Sequence, residues 1–344
     1  MKKDILIWGA GAIGGTLGAY LLRAGYDVTF VDIDEAHVAA MNDPQQGLTI
    51  SGPIDNFTQH AAAFTPATLL KAHPDTRWSR IFLAVKSHHT LIASETLQPF
   101  LAEDGFVLSV QNGLCEKTIA SVVGKARTLG SFVNFGADWT APGQITYSNR
   151  AAVVVGELDG QITPRVVALH QDICHFEPDA ILTSDINAYL WGKLGYASLL
   201  FAQAVGEVGI ADSLARQELW PLWRELAGEV VAVGRANGIA LKSFNGFNPE
   251  AFDPEAPLSL SEQSIIDMVE FNRPNVKTHS GIWRDLAIRK RTTEVDGQLG
   301  EVVRIGAEFG IKCPKTEGLI QLIKEIEQGK RPQSDCNILE LLEK

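Results

Sequence analysis

Gly9-Ala10-Gly11-Ala12-Ile13-Gly14 sets three glycines at the spacing G-x-G-x-x-G. Glycine-rich hexamers arise by chance, so their surroundings decide what they mean. Here a short apolar run precedes, a run apolar enough for a helix follows, and Asp32 closes the next apolar run. In a strand–turn–helix setting the first glycine permits the tight turn and the second lets backbone approach a pyrophosphate. The third lets helix and strand pack closely. The helix N-terminus then turns unpaired N–H groups toward phosphate charge. The chemistry is capture of a dinucleotide, with Gly9, Gly11, Ala12, Ile13 and Gly14 as its binding residues. A carboxylate at Asp32 accepts hydrogen bonds from both ribose hydroxyls of NAD and repels a 2′-phosphate. Asp34 and Glu35 add negative charge, and the nearest arginine before them is Arg23. NAD is therefore favoured over NADP. The other use open to Asp32 is to cap the following helix.

These groups need elements to hold them. Residues 5–8 read as a buried strand, residues 12–24 as a helix stopped by Gly25, and residues 28–31 as a second strand. Further buried strands are expected at 81–85, 106–110, 129–132 and 152–155, with helical stretches between several of them. That alternation predicts an α/β fold with a doubly wound parallel sheet of Rossmann type. After about Asp185 the texture changes. Leu190, Leu194, Ala197, Phe201 and Ala204 recur at helical spacing, as do Leu222, Leu226, Val230, Val233 and Ile239, and again Val295, Leu299, Val302 and Val303. The chain thus divides into a dinucleotide-binding domain, 1–185, and an all-α C-terminal domain, 186–344, for substrate and dimerisation. Residues 244–257 read as a loop between helices, and 329–344 as a loosely docked tail.

With 344 residues the chain exceeds what one hydrophobic core usually supports, in keeping with two domains. Its net charge of −11 disfavours nucleic acid and anionic membranes as partners. Lys2 and Lys3 before the uncharged run 5–22 imitate a signal peptide or a membrane span, but the glycines inside that run argue for strand, turn and helix instead. Cys115, Cys174, Cys313 and Cys336 lie far apart without metal-ligand spacing, as reduced thiols of a cytoplasmic protein would. His88 and His89, as neighbours on an extended segment, point to opposite sides, so no metal site is expected. Cys115 reads as a packing residue.

The opening Gly9-Ala10-Gly11-Ala12-Ile13-Gly14-Gly15 resembles the start of the ketopantoate reductase family. So do Val85-Lys86, Gln111-Asn112-Gly113, Trp191-x-Lys193-Leu194 and Thr293-Glu294-x-Asp296, in the family's order along almost the whole chain. The resemblance implies a Rossmann domain followed by a helical one, and reduction of the 2-oxo group of ketopantoate to pantoate by NADPH. It implies that Lys86 and Asn112 contact the cofactor, that Lys193 is the catalytic lysine, and that Glu294 helps hold cofactor and substrate. It also makes a homodimer expected. The chemistry agrees: hydride delivery to a ketone leaves an alkoxide, and a lysine supplies both a proton and positive charge if burial lowers its pKa.

Two departures stand out. Where the family usually carries asparagines one and two turns after the lysine, this chain has Ala197 and Phe201, and Asp32 stands where NADP-specific members usually have a basic residue. Nearby, Lys277, Arg284, Arg289, Lys290 and Arg291 face one acid, Asp285, within fifteen residues of an otherwise acidic chain. That segment suits a small anionic substrate, with His279, Ser280 and Arg284 as its binding candidates; a solvated basic helix face is the other use for it. Three readings stay open. They are a 2-oxo acid reductase acting on ketopantoate, an NAD-dependent dehydrogenase of another hydroxy acid or sugar acid, and a non-catalytic dinucleotide sensor.

Overall fold

The computed structural model describes residues 4–343, and the statements below concern these; Lys2 and Lys3 lie outside them. The chain forms two compact units that divide between Ile186 and Asn187.

The first unit carries β1 (Asp4–Trp8), β2 (Asp27–Val31), β3 (Leu48–Ser51), β4 (Phe57–Gln59), β5 (Ala63–Phe64), β6 (Trp78–Leu83), β7 (Leu101–Ser109), β8 (Thr128–Val133), β9 (Gly136–Ala141), β10 (Gln144–Asn149), β11 (Val153–Glu157) and β12 (Ile181–Leu182). The larger sheet runs β12-β11-β8-β7-β6-β1-β2-β5. Chain order departs from β1 on one side to β2 and β5, then returns to β6, β7 and β8 on the other. Such a reversal opens a crevice at the carboxyl ends of the strands. Ile5 and Ile7 belong to the core on one face, Leu6 and Trp8 to the core on the other. Burial on both faces explains why β1 reads as an unbroken apolar run.

Helices α1 (Ala12–Arg23), α2 (Glu35–Asn42), α3 (Pro66–Ala72), α4 (Thr90–Leu97), α5 (Glu116–Val123) and α6 (Pro164–Ile173) complete this unit. Gly25 ends α1 as its spacing predicts: at φ +83° its N–H reaches the Leu22 carbonyl, and the next N–H, of Tyr26, reaches that of Leu21. Gly14 and Gly18 let α1 press on the sheet. An added Cβ would sit 2.0 Å from the Gly9 oxygen in one case and 2.4 Å from the Phe30 ring in the other.

Two features differ from the expected all-parallel sheet. β11 pairs antiparallel with β8, Val153 opposite Val133. A second sheet, β4-β3-β10-β9, packs beside α1. Its strands are short and half polar, as in Leu48-Thr49-Ile50-Ser51, where only alternate residues are buried, so they carry no long apolar run to find.

The second unit comprises α7 (Ile186–Ala204), which begins at the boundary, α8 (Ile210–Leu214), α9 (Trp220–Ala236), α10 (Leu258–Asn272), α11 (Gly281–Ala287), α12 (Glu301–Glu308), α13 (Pro314–Glu327) and α14 (Asp335–Glu343). Leu190, Leu194, Ala197, Phe201 and Ala204 are buried along α7, and Leu222, Leu226, Val230 and Val233 along α9. Residues 244–257 connect α9 to α10, with Phe244, Phe247 and Phe252 turned inward. The tail is a correction to the expectation of loose docking. Ile338 and Leu341 of α14 are buried, and Asn337 Nδ2 and Gln333 Nε2 donate to the Val205 and Ala204 carbonyls that end α7. No helix of the described residues is long and apolar enough to cross a membrane.

Candidate active site

The glycine loop follows β1 at the sheet edge where several parallel strands end together. The Gly9 N–H donates to Val31 O, the Ala84 N–H to Trp8 O and the Val110 N–H to Leu83 O, each at 2.8 Å. Gly9, Ala84 and Val110 therefore lie in one row. Lys86 follows Ala84 by two residues, and Asn112 follows Val110 by two. Gly9 takes φ +99°, and an added Cβ would meet the Ala84 backbone at 2.9 Å. Gly11 differs, because an added Cβ meets nothing within 4 Å. It is also the N-cap of α1, with no side chain to cap the first-turn N–H groups, and Ala12 and Ile13 are only partly buried. Open space over an uncapped helix N-terminus fits the pyrophosphate of a dinucleotide.

Asp32 does not cap the next helix. Asp34 does, accepting from the His37 N–H at 2.8 Å. Asp32 instead braces the loop: Oδ2 accepts from the Ala10 N–H at 2.8 Å and Oδ1 from the Asp34 N–H at 3.0 Å. Both contacts fix the carboxylate at the end of β2 and leave it further lone pairs for a ribose.

Beside β6 and β7, Gln111 ties two loops together, its Nε2 donating to Val85 O at 2.9 Å and to Thr90 Oγ1 at 2.8 Å. Cys115 is buried with its Sγ 3.4 Å from Asn112 O, the packing use expected of it. The geometry expected of His88 and His89 is corrected. They sit in a 3₁₀ turn, Ser87–His89, with ring centroids 4.2 Å apart, yet they join no set of three metal-binding side chains among the described residues. Glu116, overlooked in the sequence, is buried at the start of α5, and burial pushes its carboxyl up to about 7. Its only sequence signal is its place in the first turn after the Asn112 loop.

In the second unit, Lys193 lies on α7 among buried Trp191, Leu194 and Ala197. Lys193 itself is half-buried, and the glycines on either side of it let another segment pack closely on α7. A Cβ at Gly192 would sit 2.3 Å from Lys242 O, and one at Gly195 would sit 2.7 Å from the Phe247 ring. The 240s segment, anchored by the Lys242 N–H on Ala188 O, thus packs directly against the helix. Burial pulls the Lys193 ammonium down to about 7, partly opposed by the Glu294 carboxylate, which favours the charged form.

Glu294 is buried and held from α13 on both sides in sequence. Glu327 Oε1 accepts from Thr293 N–H and Oγ1–H, both at 2.7 Å, and Lys324 Nζ pairs with Asp296 at 2.7 Å. A π-helical turn, Asp296–Gly300, follows at once. Phe201 is fully buried in the helical core, and Ala197 presents a methyl group one turn beyond Lys193.

The basic segment is partly structural. Arg289 and Arg291 both pair with the buried Asp285, at 3.1 and 2.9 Å, so two of its five cations share the segment's one carboxylate. Ser280 caps α11, accepting from the Trp283 N–H at 3.1 Å. His279 stacks on Trp283 at 4.0 Å, with Nε2 3.1 Å from Glu207 O. Arg284 is half-buried on α11.

Comparison with known proteins places both units. Residues 5–160 match the model of the ketopantoate reductase PanE/ApbA family, and residues 185–327 match the model of its C-terminal part. Among curated relatives, the 2-dehydropantoate 2-reductase of Archaeoglobus fulgidus is 27% identical over 95% of this chain and 99% of its own. That of Pyrococcus abyssi is 29% identical over the same shares. Among solved structures, a D-mandelate dehydrogenase bound to NADH and anilino(oxo)acetate aligns with a TM-score of 0.82 at 19% identity, over 95% of this chain and 98% of that one. A PanE/ApbA family ketopantoate reductase from Ralstonia eutropha aligns at 0.77 and 22%, over 95% and 99%.

Proposed function

The chain belongs to the ketopantoate reductase family, oxidoreductases that act on a CH–OH group with a nicotinamide cofactor, and from that premise we propose that it reduces a small 2-oxo acid, ketopantoate being the best single substrate. The observation that carries the proposal is Lys193, a half-buried lysine whose desolvation pulls it to about 7 with a carboxylate, Glu294, acting on it. A proton donor whose pKa sits near the working pH gives up its proton to a developing alkoxide most effectively.

Gly9, Gly11, Ala12, Ile13 and Gly14 would hold the dinucleotide through backbone N–H groups, with Asp32 on its ribose and Lys86 and Asn112 beside the same strand ends. The bound nicotinamide supplies the hydride. Lys193 gives a proton to the oxygen of the reduced carbonyl and, while charged, stabilises the negative charge that builds there. Glu294 raises the proton affinity of Lys193 and so keeps a larger fraction of it charged. His279, Ser280 and Arg284 are the candidates for the substrate's carboxylate. Of these, Ser280 also caps a helix and His279 also packs on Trp283. The four cysteines form no disulfide among the described residues, as a cytoplasmic enzyme's would not, and the homodimer expected from the family is retained.

A second reading rests on Ala197 and Asp32. A methyl group one turn from Lys193 cannot hold a substrate hydroxyl, and a carboxylate at the end of β2 suits NAD. Together they favour an NAD-linked dehydrogenase of a 2-hydroxy acid with an apolar substituent, and the D-mandelate dehydrogenase solved with NADH and anilino(oxo)acetate shares the fold. Titration of the protein with NADH and NADPH, followed by turnover assays with ketopantoate and an aromatic 2-oxo acid, separates the two. Tight NADPH binding with ketopantoate turnover supports the first, and NADH at least tenfold tighter with aryl 2-oxo acid turnover supports the second. Binding without any turnover leaves the dinucleotide sensor and overturns both.

A further inference from the structure

Ala10 stands in the middle of the glycine loop with both backbone groups engaged. Its N–H donates to Asp32, and its carbonyl lies 2.9 Å from His37 Nε2. His37 is buried on α2. Its other ring nitrogen, Nδ1, lies 2.9 Å from the Gly143 N–H and 3.3 Å from Trp139 Nε1, in the turn and on the strand of the β9–β10 hairpin. A backbone N–H and an indole N–H can only donate, so Nδ1 must accept. One tautomer satisfies all three contacts: neutral imidazole with its hydrogen on Nε2, donating to Ala10 O.

We propose that His37 is a positioning residue for the dinucleotide, aiming the glycine loop from the second sheet; this rests on reading that loop as the dinucleotide site. The peptide between Ala10 and Gly11 is planar and trans, so its C=O and N–H point in opposite directions. Holding Ala10 O toward His37 turns the Gly11 N–H away from α2, and Gly11 is the residue whose missing Cβ leaves open space. Asp32 fixes the peptide before Ala10 and His37 the peptide after it. The hairpin is the support behind His37, and the Trp139 ring packs edge-on against the imidazole at 5.6 Å.

Two substitutions split the two ring nitrogens. His37→Gln places an amide N–H where Nε2 stood and keeps the bond to Ala10 O. His37→Asn places an oxygen where Nδ1 stood, keeping the bond to Gly143 and losing the loop. A packing role alone would weaken both variants in step with their melting temperatures. A positioning role predicts that H37N binds NADH or NADPH, whichever the wild type prefers, about tenfold more weakly, while H37Q stays within about threefold and kcat at saturating cofactor is unchanged in both. Equal affinities in the two variants overturn the proposal. Wild-type protein that binds neither dinucleotide overturns the parent reading instead, a distinct result. Should either variant fail to fold, ¹⁵N spectra of the wild-type imidazole decide the matter: a hydrogen on Nε2 is required, and one on Nδ1 refutes it.

Discussion

The two units assemble chemistry by opposite means. In the first, the proposed binding is by backbone: three glycines, an uncapped helix N-terminus and a row of strand ends would receive phosphate, and the side chains nearby (Asp32, His37, Gln111) hold that backbone in shape. In the second, the proposed reactivity rests on two side chains, Lys193 and Glu294, and the fold's work is to desolvate the first. The glycines there serve packing rather than ligand, letting the 240s segment close on α7 at Gly192 and Gly195. A backbone site tolerates change in its surroundings so long as the loop keeps its path. A side-chain site depends on the dielectric that its neighbours impose.

The sharpest way to break that contrast is Lys193→Met. Removing a general acid costs about 10²–10⁴ in rate, and loss near the upper end in kcat is the expected outcome, with dinucleotide affinity unchanged in a fluorescence titration. Stability should move the other way. The lysine titrates near 7 in the folded protein and near 10.5 when unfolded. Between those values the unfolded chain binds the additional proton, so the lysine's penalty on folding grows as pH falls from 10.5 to 7 and is complete below 7. Methionine removes it, and the melting temperature at pH 7 should hold or rise. A variant that turns over normally ends the assignment of Lys193.

Gly11→Ala tests the other half. Because a Cβ at Gly11 meets nothing within 4 Å and φ there is −64°, the substitution should leave the melting temperature within a degree or two. A methyl group over the helix N-terminus should nevertheless weaken dinucleotide binding by about tenfold, or ~1.4 kcal/mol. Gly14→Ala is the control, since its Cβ would lie 2.0 Å from the Gly9 oxygen and must disrupt the fold itself. If Gly11→Ala binds NADH and NADPH as the wild type does, the open space is not the phosphate site.

This difference also decides what could be read without coordinates. The roles of Gly9, Gly11 and Gly14 are set by residues within a few positions of each other, so spacing alone announces them, and Gly25 ends α1 for an equally local reason. The family's motif order named Lys193 and Glu294, but nothing around them in the sequence announced their environment. Lys242 and Phe247 close on Gly192 and Gly195, either side of Lys193 in sequence, from some fifty residues away, and Glu327 and Lys324 of α13 hold the Glu294 turn from about thirty. The second sheet escaped notice because its strands are short and only alternately apolar. His37 escaped because a histidine on a helix declares nothing until the Gly143 turn is seen against it. The basic segment was legible only in part: counting charges could not show that two of its arginines converge on the buried Asp285.

The smallest effect is also the one that ties the two halves of the second unit together. Glu294 opposes the downward pull of burial on Lys193, so Glu294→Gln should lower the lysine's pKa further. For reduction the protonated lysine is the active form, and kcat/KM should fall as pH rises through about 7 in the wild type. In the variant the same descending limb should move to lower pH, by about one unit for ~1.4 kcal/mol of lost interaction, while the low-pH plateau drops by less than the pH 7 rate. An unmoved limb with a lowered plateau would mean that Glu294 acts on substrate or cofactor and leaves the lysine alone. Glu327→Gln discriminates further, because it weakens only the clamp on Thr293. If the clamp serves to present Glu294 to Lys193, the limb shifts in the same direction by a fraction of that amount; if it serves stability alone, the melting temperature falls and the limb stays where it is.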